Sequence, residues 1–182
     1  MTVDWEDYRP DWPPFEGSLR LLARREARIS YEHFLGERSN RIDQLKGLLT
    51  RNGLYLPTDE ASLQVANEWF DANVERSEKN PEQLENLWYS LVHDFSVLIG
   101  EIIITRHPGL HWELFLWGKR DLSFQSPVIM GFKNLANPRV NVNLTVALVT
   151  HAHRVAHGLP EDPNYFVALV RGAGDLLAIG RK

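Results

Sequence analysis

The sequence predicts an α+β protein: one helix-rich domain with a long central helix and a small antiparallel sheet of two or three strands. Three features indicate this fold class. Apolar residues recur at intervals of three and four through much of the chain, as in amphipathic helices. The segment 84–103 is apolar on most sides, which is typical of a helix enclosed by others. Within 111–117, bulky apolar residues stand at every second position, the period of a β-strand.

The first half of the chain is expected to hold three helices. The apolar pattern indicates helices over 18–35 and 39–51, and a third that is capped by Thr58. The dipeptide Asn52-Gly53 ends the second helix, because both residues tolerate the left-handed conformation that follows a helix.

The central helix has the clearest boundaries. Residues 80–83 (Asn-Pro-Glu-Gln) supply a capping side chain, a proline for the first helical position and a glutamine three residues after the cap. The helix is expected to run to about Arg106, where 107–109 (His-Pro-Gly) ends it.

The sheet is predicted from 111–117 and 128–132, with 122–124 as a candidate third strand between them. Consecutive strands with short connections favour an antiparallel meander. Helices return over 143–157 and again after Asp162-Pro163, a second cap-plus-proline start.

The domain organisation is an extended arm, residues 1–15, followed by a single α+β domain, residues 16–182. The arm holds four aromatic residues among three prolines, which bar a helix. Aromatic side chains are usually covered, so the arm either packs on its own domain or docks onto a partner.

The composition excludes several function classes. The 182 residues contain no cysteine, which removes a disulfide framework, a thiolate metal site and a cysteine nucleophile. The acidic start differs from a secretory signal, and the apolar run 95–104 is shorter than the roughly 18 residues of a membrane span. We therefore expect a cytoplasmic protein without a membrane partner. The net charge is −4 and no extended basic face is evident, so nucleic acid is not an expected partner.

Two histidines form the most metal-like pattern. His153 and His157 stand four residues apart, which places both rings on one helix face. The glutamate of a zinc-protease helix is absent, and a third ligand would come from Glu101, His107 or His111. The alternative is a polar, partly exposed helix face. No phosphate loop, dinucleotide fingerprint or serine elbow is found, and no cofactor is expected.

Two acids lie on the central helix. Asp94 and Glu101 are two helical turns apart, and burial penalises a charged carboxylate unless a partner is present. Pairing with an arginine or with backbone donors is the expected arrangement. Gly100 lies within the same helix, where it lets a neighbouring element approach closely.

A series of core and turn residues over about 40–135 resembles small bacterial proteins of uncharacterised function, some of them reminiscent of the immunity proteins paired with polymorphic toxins. The resemblance implies a cytosolic protein that functions by binding. The residues that carry it are 45–49 (Leu-Lys-Gly-Leu-Leu), Asn52-Gly53, Ser62-Leu63, Trp69-Phe70, 88–92 (Trp-Tyr-Ser-Leu-Val), Asp94, Gly100-Glu101, 107–110 (His-Pro-Gly-Leu) and Trp112-Glu113.

These observations predict a non-enzymatic protein-binding module that neutralises a basic toxin. Residues 57–104 hold ten acids and two bases, a charge that would speed association with a basic partner. Alternatives are a metal-assisted hydrolase that uses His153 and His157, and a structural subunit of a homo-oligomer. The residues expected to contact the partner are Asp59, Glu60, Glu68, Trp69 and Trp117.

Overall fold

The fold is organised around one apolar helix, with the other helices packed against it. The structure, a computed structural model, describes residues 2–179. Within them, five α-helices and two short strands confirm the predicted helix-rich α+β fold with a small antiparallel sheet. Their bounds are α1 Arg24–Arg51, α2 Glu60–Asn73, α3 Asn86–Arg106, β1 His111–Leu114, β2 Pro127–Met130, α4 Leu144–Ala156 and α5 Tyr165–Ile179, with a short 3-10 helix at Leu19–Leu21.

Helix α3 is the predicted central helix. Twelve of its 21 residues are buried, and it packs against α1, α4 and α5. Helix α2 covers α5 and part of α4. Trp88, Phe95 and Ile99 of α3 are fully buried in the principal core. Removing this apolar surface from water stabilises the fold by about 25 cal/mol per Å².

By length and composition alone, α3 could also cross a membrane. However, 67% of its most apolar window is buried inside the protein, as in the core helix of a globular domain. Its apolar surface is therefore already covered by the other helices.

Helix α1 differs from the prediction of two helices, 18–35 and 39–51. It is continuous over 28 residues, and residues 18–23 lie outside it. Its buried positions continue at helical spacing across the predicted break, from Phe34 to Arg41 and Leu45. The Asn40 side chain donates to Glu37 within the helix instead of capping a new one. The continuous buried face thus overrides a local capping signal.

The starts of α2 and α3 also differ from the prediction. Asp59, rather than Thr58, caps α2, and its carboxylate accepts the Ser62 N–H at 2.8 Å. The predicted start at 80–83 is a turn, closed by the Gln83 N–H donating to the Asn80 carbonyl at 2.8 Å. Backbone hydrogen bonds between 75–77 and 83–85 hold this segment as a loop ahead of α3.

The sheet has two strands, with Trp112 opposite Ile129 in antiparallel register. The candidate third strand, 122–124, is a turn in which the Asp121 carboxylate accepts the Ser123 N–H at 2.8 Å. The expected role of Gly100 is confirmed, because a Cβ there would lie 2.0 Å from the Trp112 ring. Glycine at this position lets β1 lie directly on α3.

Candidate functional site

The N-terminal arm is fixed to the domain by a buried polar network, called here the anchor network: Tyr8, Arg41, Ser90 and Asp94. Arg41 donates through Nε and Nη2 to the two Asp94 oxygens, each at 2.7 Å. The Tyr8 hydroxyl donates to the same carboxylate at 2.6 Å. Arg41 Nη1 also donates to the Arg9 carbonyl at 2.6 Å. The prediction that Asp94 pairs with an arginine is confirmed.

Electrostatics keep this pair charged at neutral pH. Burial raises the pKa of Asp94 to about 6, although the Arg41 hydrogen bonds and charge oppose the rise. Burial alone would lower the pKa of Arg41, but the hydrogen bond and charge of Asp94 raise it overall. Burial and the neighbouring carboxylate raise the pKa of Tyr8, so its hydroxyl keeps its proton and remains a donor.

The rest of the arm contributes one wall of a cavity of about 680 Å³, called here the arm cavity. Its other walls come from α1, the first half of α3, the start of β2 and the start of α4. A volume in the range of roughly 300–1000 Å³ suits a small-molecule site. Its apolar lining includes Pro10, Trp12, Phe15, Phe34, Leu87 and Val146.

One carboxylate and two imidazoles line this cavity together and are called here the Asp11 cluster: Asp11, His33 and His93. His33 Nε2 lies 3.4 Å from one Asp11 oxygen, and His93 Nε2 lies 3.9 Å from the other. Burial lowers the pKa of His93, and the Asp11 charge offsets this only in part. His93 is therefore neutral at pH 7, and the carboxylate keeps free acceptor capacity.

Further polar groups along the walls have unused hydrogen-bonding capacity. Within the described part of the chain, Ser30 Oγ and Asn143 Nδ2 are buried without a hydrogen-bond partner. Leaving such groups unpaired costs about 1–3 kcal/mol each, unless another molecule satisfies them. Gln125, which also lines the cavity, has a φ of 62°, in the left-handed region. Its side-chain amide donates to the carbonyls of Leu19 and Leu22. Strained residues of this kind concentrate at functional sites.

The chemistry of this arrangement favours binding. An activated serine needs a hydrogen bond to its general base, and Ser30 Oγ has none within residues 2–179. The site instead combines apolar walls with a few polar groups of incomplete pairing, which suits a ligand with an apolar body and a polar end.

The residues predicted to contact a partner do not form one surface of free charges. The Asp59 carboxylate is used as the α2 cap, and Glu60 pairs with Arg106 and Arg171. Glu68 is exposed and accepts a hydrogen bond from Gln64.

The two predicted aromatic anchors lie in different settings. Trp69 is half-buried, with its ring centroid 6.2 Å from that of Trp88. Trp117 is 49% exposed, and the Arg139 guanidinium lies 5.1 Å from the centre of its ring.

The histidine pair lies on α4 and its C-cap. His153 Nε2 faces the Tyr89 hydroxyl at 3.2 Å, and His157 Nδ1 donates to the His153 carbonyl at 2.7 Å. Over residues 2–179, no set of three or more His, Asp and Glu side chains is arranged to hold a metal ion. Of the suggested third ligands, Glu101 instead accepts from Arg38 and Trp112.

A third polar cluster lies on the same helix. His151 is fully buried, with Nε2 2.7 Å from Asp71 and Nδ1 3.2 Å from Glu161. Its ring stacks on Tyr165 with centroids 4.2 Å apart. Burial alone would lower the pKa of His151, but its hydrogen bonds to the two carboxylates, together with their charges, raise it overall. Sequence reasoning missed this residue, because its two partners come from α2 and the loop before α5.

Comparison with known proteins assigns no family. No protein-family profile, curated protein or solved structure matches the chain. The resemblance to immunity proteins therefore stays a prediction, and function is argued from the site itself.

Proposed function

We propose that this protein binds a small, largely apolar molecule in the arm cavity. The observation that carries the proposal is the cavity itself: about 680 Å³, walled by apolar and aromatic side chains, with the Asp11 cluster among them. Cavities of this size and lining are the usual sites of small-molecule binding.

The anchoring of the arm supports this function. Burying the aromatic residues of the arm in a filled core would stabilise the protein most, yet Trp12 and Phe15 line the open cavity. The anchor network holds the arm from one end, and Gln125 holds the 3-10 helix at the other. The cavity is thus supported from both sides, which preorganises it for a ligand.

The unpaired polar groups support the same function. Ser30 and Asn143 come from different elements and both line the cavity. Both atoms are shielded from solvent in the free protein, so a rotation of either side chain toward the cavity would let a ligand satisfy it and remove this desolvation cost.

The test is a thermal-shift screen with small apolar compounds on three proteins: the wild type, Val146→Trp and Val65→Trp. Val146 lines the cavity, whereas Val65 is 53% exposed on α2. We expect compounds that stabilise the wild type and Val65→Trp but lose their effect on Val146→Trp. The proposal fails if no compound stabilises the wild type, or if the same compounds stabilise Val146→Trp equally.

The toxin-neutralising function is a second candidate, favoured by the exposed indole of Trp117. Exposed tryptophans are frequent anchors of protein interfaces. If this surface binds a protein, Trp117→Ala should remove a stoichiometric partner that co-purifies with the wild type from lysate, while Val146→Trp should keep it. The reverse pattern would assign the interaction to the arm cavity.

A further inference from the structure

The charge of the arm cavity indicates which molecules it accepts. We propose that the ligand is a cation, an apolar molecule whose ammonium group pairs with the Asp11 carboxylate. This inference rests on the proposed function, because it names the ligand class of the same cavity.

The charges around the cavity leave one carboxylate without a cation. Among the described residues that line it, Asp11 is the one carboxylate and there is no lysine or arginine. The nearby guanidinium of Arg41 is fully engaged by Asp94, the Tyr8 hydroxyl and the Arg9 carbonyl. Asp11 is therefore left without a permanent cation of its own, and a cationic ligand would supply one.

The contacts around Asp11 are long and leave its oxygens accessible. Charge-assisted hydrogen bonds are typically about 2.7–2.9 Å long. The distances of 3.4 Å to His33 and 3.9 Å to His93 exceed this range. The side chains of Asp11, His33 and His93 are 16%, 31% and 23% exposed, so each remains reachable from the cavity. An ammonium group fits these oxygens better than the imidazoles do, because it brings three donors and a full charge.

The aromatic lining of the cavity also favours a cation. Trp12, Phe15, Tyr31, Phe34 and Tyr89 line the cavity together with Asp11. Aromatic rings cover an apolar body, and their faces attract a cation. A carboxylate among aromatic walls is the combination that recognises apolar amines, whereas it repels a carboxylate ligand.

Besides the imidazoles of His33 and His93, the N-terminus of α4 is a feature of the described cavity lining that favours an anion. Its first-turn N–H at Val146 is already satisfied by the Asn143 side chain, which accepts it at 3.1 Å. What remains is the Asn143 amide, a neutral donor that gives an anion no charge to pair with. The net preference of the cavity is therefore for a cation.

The test uses three probes with the same apolar body: phenylbutylamine, phenylbutanol and phenylbutanoate. Their affinities are measured by calorimetry on the wild type, Asp11→Asn and Asp43→Asn. Asp11→Asn removes the charge but keeps the size, and the Asp11 backbone N–H can still donate to Ser90. Asp43 is exposed on α1 and does not line the cavity, so Asp43→Asn is the matched control for charge.

We expect the amine to bind the wild type about tenfold more tightly than the alcohol, with the carboxylate weakest. Asp11→Asn should lower the affinity for the amine to that for the alcohol, and Asp43→Asn should leave all three affinities unchanged. Equal or tighter binding of phenylbutanoate, or an amine affinity that survives Asp11→Asn, overturns the cation inference while leaving the arm cavity as a binding site. If none of the three probes binds, the cation inference fails, and the thermal-shift screen on the wild type and Val146→Trp decides the proposed function separately.

Discussion

The anchor network and the Asp11 cluster are neighbours built from the same three parts of the chain, yet they differ in how completely they are paired. Each takes residues from the arm, α1 and α3; His93 of the cluster directly precedes Asp94 of the network. In the anchor network, Arg41 meets both Asp94 oxygens at 2.7 Å. In the cluster, the two histidines lie 3.4 and 3.9 Å from Asp11.

The difference separates a structural polar cluster from a binding one. Where every lone pair and proton is used inside the protein, the polar groups hold elements together and have nothing left for a ligand. Where contacts are long and the groups border open space, the unused capacity is available to another molecule. Polar groups of the same chemical types therefore play different roles a few ångströms apart.

The largest expected effect comes from breaking the anchor network. Asp94→Asn should lower the free energy of unfolding by about 3–5 kcal/mol, because it leaves the Arg41 charge buried without its counter-ion. Urea denaturation measures the loss, with Asp43→Asn as the control for an exposed acid. A loss no larger than that of the control would remove the distinction between the two clusters.

The next effect contrasts a filled core with an open cavity. Val97 of α3 is fully buried, and Val97→Trp should cost about 3 kcal/mol or prevent folding, because a packed core has no space for the indole. Val146→Trp should cost less than about 1 kcal/mol, since its indole can occupy the arm cavity. Similar costs for the two variants, measured by thermal unfolding, would mean that the cavity is not open in solution.

In the third polar cluster, His151 lies between the carboxylates of Asp71 and Glu161, and we expect it to behave as a fully paired group. The pKa of His151 is raised in the folded protein, so its charged form stabilises the fold below its unfolded pKa of about 6.5. This stability is lost as the pH rises from there through the raised folded pKa.

The measurement is the free energy of unfolding from pH 6 upward for the wild type and His151→Gln. The wild type should lose stability relative to the variant over that range, because the raised pKa of His151 favours its charged form in the folded protein. Parallel curves for the two proteins would show that the two carboxylates do not hold a proton on this ring.

The smallest expected effect is that of Asp11→Asn on stability. Because the Asp11 contacts are long, the free energy of unfolding should change by less than about 0.5 kcal/mol. A loss of unfolding free energy close to that of Asp94→Asn would show that Asp11 holds the fold together and does not serve to bind a ligand.

The sequence predicted what depends on local pattern. The central position of α3, its end at Arg106, the close approach at Gly100 and the arginine partner of Asp94 all follow from periodicity, breakers and the cost of a buried charge. The capping patterns at Asn40 and Asn80 predicted helix starts that the structure does not have. At Asn40 the burial of a longer helix face outweighed the single capping residue, and at Asn80 the closure of a loop did so.

The cavity could not be predicted for a different reason. It exists because Tyr8 reaches a carboxylate 86 residues away and carries the arm across α1 and α3. His33 and His93 share no spacing that marks them as partners, and only this docking brings Asp11 between them. Such a site depends on tertiary geometry and leaves no short motif in the sequence.

The most direct test of the account is to map a bound probe onto the chain. Phenylbutylamine is titrated into isotope-labelled protein, and the backbone amide signals are followed by NMR. We predict shifts confined to the walls of the arm cavity, at 10–19, 30–34, 86–93, 125–127 and 143–146, with α5 unaffected. Shifts centred on Trp117 and Arg139, or no shifts at all, would contradict the claim that this cavity is the binding site.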